Sequence, residues 1–345
     1  MNSRDAVTLS SVLPSHDTRH GGKYRLLGFP TTVRPGFPLF IVVIAFLYPW
    51  PLGAWVGGSI AVLTVVHELG HALVARRFGC EARISLDFMV AYASFAPSPD
   101  FGRLRRALVA LAGPGAQVLL ATSVLLIMGI NPVSRASIST SDAAVGIWWT
   151  GIVLGLVNLL PLAPLDGGAV VASALDALFP GRGQRIMLRA SIVITATVVS
   201  TMVATGHTEF LMFFAFVLFF QWQTLRAERS LEGRVSLQGA QPSGDPYLDA
   251  AVATAQTEAG RAASALTYCR DSWSMCPNSA VAVAASRACV ALGDVPAALQ
   301  WIDAAVRVSL DDLETLGMIN TAHDLDAVRS LHGFGDAVRR LSAGL

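Results

Sequence analysis

The chain has 345 residues, 53% hydrophobic and only 14% charged, with a mean hydropathy of +0.53. That is too apolar for an ordinary soluble domain and reads as a membrane protein. A net charge of +1, with no basic tract interleaved with aromatics, excludes nucleic acid as a partner.

The N-terminal segment, 1–36, is polar and carries Arg4, Arg19, Lys23, Arg25 and Arg34. It has no apolar core followed by a small-residue cleavage site, so no cleaved signal peptide is expected. Phe37 to Tyr48 is an apolar run ended by Pro49-Trp50-Pro51 and reads as the first membrane segment. Leu52 to Phe78 is the second, with Gly53, Gly57, Gly58 and Gly70 allowing close helix approach. From Cys80 to Pro99 the pattern alternates and β-branched or aromatic residues recur, which predicts a short hairpin or re-entrant strand pair. Ala107 to Ile130 and Ala143 to Leu160 are the third and fourth spans, separated by the polar loop 131–142. Pro161, Pro164 and Gly167-Gly168 must then interrupt the helix, and broken backbone at that depth is tolerated only against protein or a water-filled cavity. A short helix over Ala169–Phe179 and two more spans, Ile186–Ala204 and Phe210–Trp222, complete the set. The expected fold over 37–225 is an all-α polytopic membrane domain of six helices with a small β-hairpin after the second.

Arginines set the orientation. Arg76, Arg77, Arg83, Arg103, Arg105 and Arg106 lie between spans two and three, Arg182, Arg185 and Arg189 after span four, and Arg226, Arg229 and Arg234 after span six. Only Arg135 falls on the other side, so both termini are expected in the cytoplasm and the protein in the cell membrane. Residues 226–246 turn polar and read as a linker. Beyond it, over 247–345, Gly260-Arg261-Ala262-Ala263-Ser264-Ala265-Leu266 is echoed 33 residues later by Gly293-Asp294-Val295-Pro296-Ala297-Ala298-Leu299. The placements of Gly and Ala-Leu are similar to those of the tetratricopeptide repeat; an unspecialised helical bundle is the plain alternative. Cys80, Cys269, Cys276 and Cys289 have no Cys-x-x-Cys spacing, so they read as thiols rather than a zinc or disulfide framework.

Chemistry concentrates in Val65-Val66-His67-Glu68-Leu69-Gly70-His71. Histidines four apart stack on one helix face, so both imidazoles can bind one metal ion with Glu68 beside them as a base, the zincin pattern. A packed histidine pair is the bland alternative, but Leu52–Val66 carries no charge, and ionisable groups at membrane depth point to function. A catalytic zinc needs three protein ligands and an open position. Residues 72–78 offer only arginines, and Asp166, at the end of an apolar span beside a Gly-Gly pair, is the best candidate for the third. Alone it reads equally well as an N-cap for the following helix. His16, His20, His207, His323 and His332 have no ligand spacing.

Together, His67-Glu68-x-x-His71 and Asn158-x-x-Pro161-x-x-x-Leu165-Asp166-Gly167 resemble the two signatures of the site-2 protease family of intramembrane zinc metalloproteases. The resemblance covers about Phe37 to Phe179. Ala112-Gly113-Pro114 also looks like that family's Ala-Gly-Pro motif, but Gln117 stands where an asparagine is common, which leaves its role open. The resemblance implies Zn2+ on His67, His71 and Asp166, with Glu68 as catalytic acid/base. Such a zinc brings water to a pKa near 7. Glu68 would take the water's proton and return one to the leaving amine. Asn158 is a candidate to bind substrate or the oxyanion, or equally a neighbouring helix.

The expected partners are a membrane-tethered protein substrate, the lipid bilayer and a cytoplasmic regulator bound by the C-terminal repeats, in regulated intramembrane proteolysis. Strand addition along Ile84–Val90 is one way to hold an unwound substrate. A non-proteolytic metal-binding scaffold displaying the repeats is the competing reading, and Glu68 argues against it. A metal transporter is disfavoured because the spans lack a relay of acidic and histidine residues.

Overall fold

The computed structural model describes residues 22–87, 91–96, 101–206, 211–236 and 241–343. The chain divides into two compact units, one over His16–Ser94 and Phe101–Gln221, the other built on Trp222–Leu345.

The first unit opens with a hairpin of β1 (Gly22–Leu26) and β2 (Phe29–Val33). Its turn residues Leu27 and Gly28 both take positive φ, 48° and 87°, as a two-residue primed turn requires. The strands predicted over Cys80–Pro99 form as β3 (Glu81–Leu86) and β4 (Ala91–Ala96). They lie side by side as expected and belong to a larger sheet, since β2 pairs with β3 in parallel, Thr31 opposite Ile84, and the sheet runs β1-β2-β3-β4. A parallel pair needs a long crossover, supplied here by α1 (Gly36–Leu47) and α2 (Leu52–Arg77). Alternation along β3 buries Ala82, Ile84 and Leu86. Arg76, at the end of α2, lays its guanidinium 4.1 Å from the ring centre of buried Phe29 and donates to the Leu27 carbonyl, tying sheet to helix.

Then come α3 (Arg103–Ile127), α4 (Asp142–Val157), α5 (Asp166–Leu178), α6 (Gly183–Thr205) and α7 (Leu211–Ser236). Among the described residues, three of the six expected spans, α2, α3 and α6, are long and apolar enough to cross a membrane. Helices α1 and α4 have fewer than 18 residues, and at 1.5 Å per residue fall short of a core about 30 Å thick. Helix α7 is long, but only its first part is apolar, and it continues through Arg226 and Glu228 to Ser236. The stretch read as a linker from residue 226 is therefore helical over its first part. Helix α4 passes through a π-helical segment, Trp148–Val153, in which the Leu154 N–H reaches back five residues to the Trp149 carbonyl.

In the second unit α8 (Pro246–Glu258), α9 (Ala262–Met275), α10 (Ser279–Ala291), α11 (Val295–Arg307), α12 (Asp312–Thr321) and α13 (Phe334–Ala343) follow one another. Asp245, Asn278, Asp294 and Asp311 cap α8, α10, α11 and α12 by accepting from first-turn N–H groups. The two glycines of the 33-residue echo, Gly260 and Gly293, take φ of 78° and 81° at the turns into α9 and α11. Helix α10 is buried along nearly its whole length among α8, α9 and α11, and its Ala280, Ala284, Ala285 and Ala288 let those neighbours approach closely. Cys269 and Cys289 are free and buried; burial, with Cys289 and Asp249 nearby, pushes the Cys269 thiol up to about 12, so both pack rather than react.

Asp249 is the polar pivot of this unit. It is 1% exposed and accepts hydrogen bonds from Ser243, the Tyr268 hydroxyl and Ser272. Burial pushes its carboxyl up, but these donors outweigh burial and hold it below the usual value. A depressed folded pKa contributes stability above the unfolded value, lost as pH falls through the folded one. Asp249→Ala should therefore cost about 2–4 kcal/mol at neutral pH by stranding the buried hydroxyls of Tyr268 and Ser272. It should also flatten the loss of stability below about pH 4, as read by hydrogen exchange over α8–α10.

Candidate metal centre

Helices α2 and α3 run antiparallel where they meet, as the contacts show: His71 faces Val109 and Gly113, while His67, one turn earlier, faces Gln117, one turn later. Two glycines permit the crossing. A Cβ on Gly70 would lie 2.5 Å from the Ala112 carbonyl oxygen, and one on Gly113 would lie 2.3 Å from Nε2 of His71. The imidazole of His71 thus occupies space that only a missing side chain leaves open.

The outer nitrogens of both rings are fixed by acceptors. Nδ1 of His71 lies 2.7 Å from the Val109 carbonyl oxygen, which can only accept, so that nitrogen carries the proton. Nδ1 of His67 lies 2.7 Å from Oε1 of Gln117, whose Nε2 donates to the Thr150 carbonyl at 2.7 Å. Because the Thr150 oxygen can only accept, the amide cannot be turned round, and His67 is also held as the Nδ1–H tautomer. The π segment of α4 helps here: Leu154 N–H, the ordinary helical partner of the Thr150 carbonyl, is spent on Trp149 instead. Gln117, whose role the sequence left open, is therefore a buried relay between two helices and a ring.

In the neutral rings this leaves both Nε2 atoms as inward-facing lone pairs, 3.0 Å apart. Asp166 brings its carboxylate to 3.1 Å from Nε2 of His67 and 3.4 Å from Nε2 of His71. The N-cap of α5 is Leu165, and Asp166, its first residue, reaches the rings, so the capping alternative is not what its side chain does. Donors about 2.0–2.1 Å from a tetrahedral zinc stand about 3.3 Å apart, and the observed separations match. With both rings neutral no donor hydrogen lies among them, and three electron-rich atoms at this spacing are held together by a shared cation, a metal ion or a proton. Glu68 is 3% exposed on the same helix, one position from His67. Among the described residues this is the one group of His, Cys, Asp and Glu placed to hold a metal ion; His323 and His332 are not part of it, and His16, His20 and His207 lie outside the described residues.

The loop that delivers Asp166 turns tightly. Gly167 N–H donates to the Asn158 carbonyl at 2.8 Å, closing the motif from its first residue to its last, and Leu165 N–H donates to the Leu162 carbonyl. A Cβ on Gly167 would lie 2.1 Å from the Leu159 carbonyl oxygen. Asn158 contributes this backbone bond, with a half-buried side chain.

Gly113→Ala should displace His71 and lower zinc affinity at least about tenfold while helix content is retained. Gln117→Leu should lower it about 10–100-fold, as loss of an outer-shell partner does. Both are checked by competition with a chromophoric chelator and by circular dichroism.

Comparison with known proteins bears on the same region. A Mycobacterium tuberculosis protein named "Putative zinc metalloprotease Rip3" is 31% identical over 208 residues, covering 55% of this chain and 49% of that protein. Zinc metalloprotease MJ0392 of Methanocaldococcus jannaschii is 26% identical over 157 residues, covering 44% of each. The chain spans about half the length of the curated relatives it matches. The solved structure of the Site-2 Protease from Methanocaldococcus jannaschii aligns with a TM-score of 0.45 at 22% identity, over 59% of this chain and 94% of that one, a likeness too slight to carry an argument. Residues 133–200, which include Asn158, Asp166 and the loop between them, match the family model of Peptidase family M50.

Proposed function

We propose that the chain is a zinc metallopeptidase of site-2 protease type, which hydrolyses a peptide bond in or near the membrane segment of a membrane-tethered protein. The observation that carries this reading is the convergence of Nε2 of His67, Nε2 of His71 and the Asp166 carboxylate within 3.0–3.4 Å. The motif beside Glu68 lies in a helix long and apolar enough to cross a membrane. The match of residues 133–200 to Peptidase family M50 and the names of the relatives support it.

His67, His71 and Asp166 would hold the ion, and a zinc bound there supplies Lewis acidity that makes water a competent nucleophile at neutral pH. Glu68 accepts the proton that water loses as its oxygen adds to the scissile carbonyl carbon. The same carboxyl then gives that proton to the amine nitrogen as the C–N bond breaks, so Glu68 returns to its starting state. Gln117 and the Val109 carbonyl keep both rings in the tautomer that points Nε2 inward. Asn158 is the candidate donor to the developing oxyanion or to the substrate backbone.

An extended substrate would pair with a sheet edge. Expectation and geometry differ here. Ile84 to Leu86 belong to β3, which is flanked by β2 and β4, so its backbone is engaged on both sides. Val90 lies outside the described residues. The edges left are β1 and β4, and substrate pairing is assigned to one of these.

The arginines between and after the spans favour a cell-membrane protein with both termini in the cytoplasm. The successive helices α8–α11, with turns at Gly260 and Gly293, favour a tetratricopeptide-like module for a cytoplasmic regulator or substrate. The competing scaffold reading needs no base at Glu68. With a membrane-tethered reporter co-expressed, Glu68→Gln should keep zinc and lose cleavage by about 10²–10⁴-fold, while Asp166→Asn should weaken both. Equal cleavage by wild type and both variants would remove the peptidase reading, and zinc binding without cleavage in all three would favour the scaffold.

A further inference from the structure

Helices α6 and α7 supply no ligand, yet both reach the loop that carries Asp166. Ala163, between Pro161 and Pro164, has each of its backbone groups held by a side chain from a different helix. Its N–H donates to Oγ of Ser191 on α6 at 2.9 Å, and its carbonyl accepts from Nε2 of Gln221 on α7 at 2.7 Å. The same Nε2 donates to Oγ1 of Thr195 at 3.1 Å, one turn beyond Ser191 on α6. Ser191 is used both ways, since its hydroxyl also donates to the Met187 carbonyl at 2.7 Å. Ser191 and Thr195 are fully buried and Gln221 is 1% exposed.

Packing alone does not account for these residue types. An apolar side chain at 221 would fill the same space, whereas the glutamine leaves Oε1 buried without a hydrogen-bond partner, a cost that apolar replacement removes. What the polar groups achieve is specific. Two prolines deprive the loop of N–H donors, and irregular backbone among apolar helices needs its remaining groups satisfied by neighbours. The internal bond from Gly167 N–H to the Asn158 carbonyl fixes the shape of the loop. The bonds to Ala163 fix where that shape sits, three residues before the carboxylate that must stand 3.1–3.4 Å from two imidazole nitrogens.

We propose that Ser191, Thr195 and Gln221 are positioning residues that seat the loop 158–165 on α6 and α7 so that Asp166 reaches the metal. The inference rests on the metal reading above, and its test separates the two. The full-length protein in detergent is titrated with zinc against a chromophoric chelator, and thermal unfolding is followed in parallel. Wild type should bind one zinc with an affinity that His67→Ala loses; equal binding by both would overturn the metal reading itself. Given that difference, Gln221→Leu and Ser191→Ala should each lower affinity about 10–100-fold, as outer-shell losses do, and the near-isosteric Thr195→Val should lower it less. Thr197→Ala, exposed on α6 and bonded only within its own helix, should leave it unchanged. In an Asp166→Asn background, Gln221→Leu should add no further loss, because its effect runs through that carboxylate. Wild-type affinity in Gln221→Leu and Thr195→Val, or an undiminished effect of Gln221→Leu without Asp166, would overturn the clamp. Should Gln221→Leu not fold, Thr195→Val and Ser191→Ala decide.

Discussion

Electrostatic repulsion among three converging lone-pair donors is the constraint on which the first unit depends. With both rings neutral, two imidazole lone pairs and a carboxylate at 3.0–3.4 Å form a concentrated negative focus among apolar helices. Such an arrangement persists only if the surrounding structure enforces it and a cation neutralises it. Each layer of the unit bears on that enforcement. Gly70 and Gly113 bring α2 and α3 together, Gln117 and the Val109 carbonyl set the tautomers, and the loop after α4 returns the chain to place the acid.

Enforcement comes from helices that contribute no donor to the cluster. Helix α4 presents the Thr150 carbonyl to Gln117, and α6 and α7 present a hydroxyl and an amide to Ala163. Buried polar groups of this kind are costly in an apolar setting unless fully paired. Their concentration around two short segments of backbone, rather than their spread along the spans, marks where geometry matters. The C-terminal unit uses the same device for another end: Asp249 gathers Ser243, Tyr268 and Ser272 and so fixes α8 against α9.

Much of the donor set was legible in the sequence because its spacing is local or its context unusual. His67 and His71 are four apart, which a helix converts directly into proximity, and Asp166 is an acid set among prolines and glycines at the end of an apolar run. The alternation of β3 and the 33-residue echo behind α8–α11 were readable for the same reason. What escaped depends on tertiary contact. The N-terminal hairpin had a cue in Leu27-Gly28, but its pairing with β3 crosses two helices. Gln117, Ser191, Thr195 and Gln221 were visible as polar residues in apolar segments, yet nothing local names their partners 26 to 58 positions away. Helix length was also misjudged where an apolar stretch runs on into a loop, as at the C-terminal end of α4.

The π segment of α4 has a consequence for how this chain can vary. A single residue inserted or removed between Gly146 and Asn158 would turn everything downstream by about 100° about the helix axis. The oxygen offered to Gln117 would swing away from it, and the loop that follows would leave with the wrong heading. Residue count in that stretch is therefore held more tightly than residue identity, and substitutions there should be borne far more readily than changes of length.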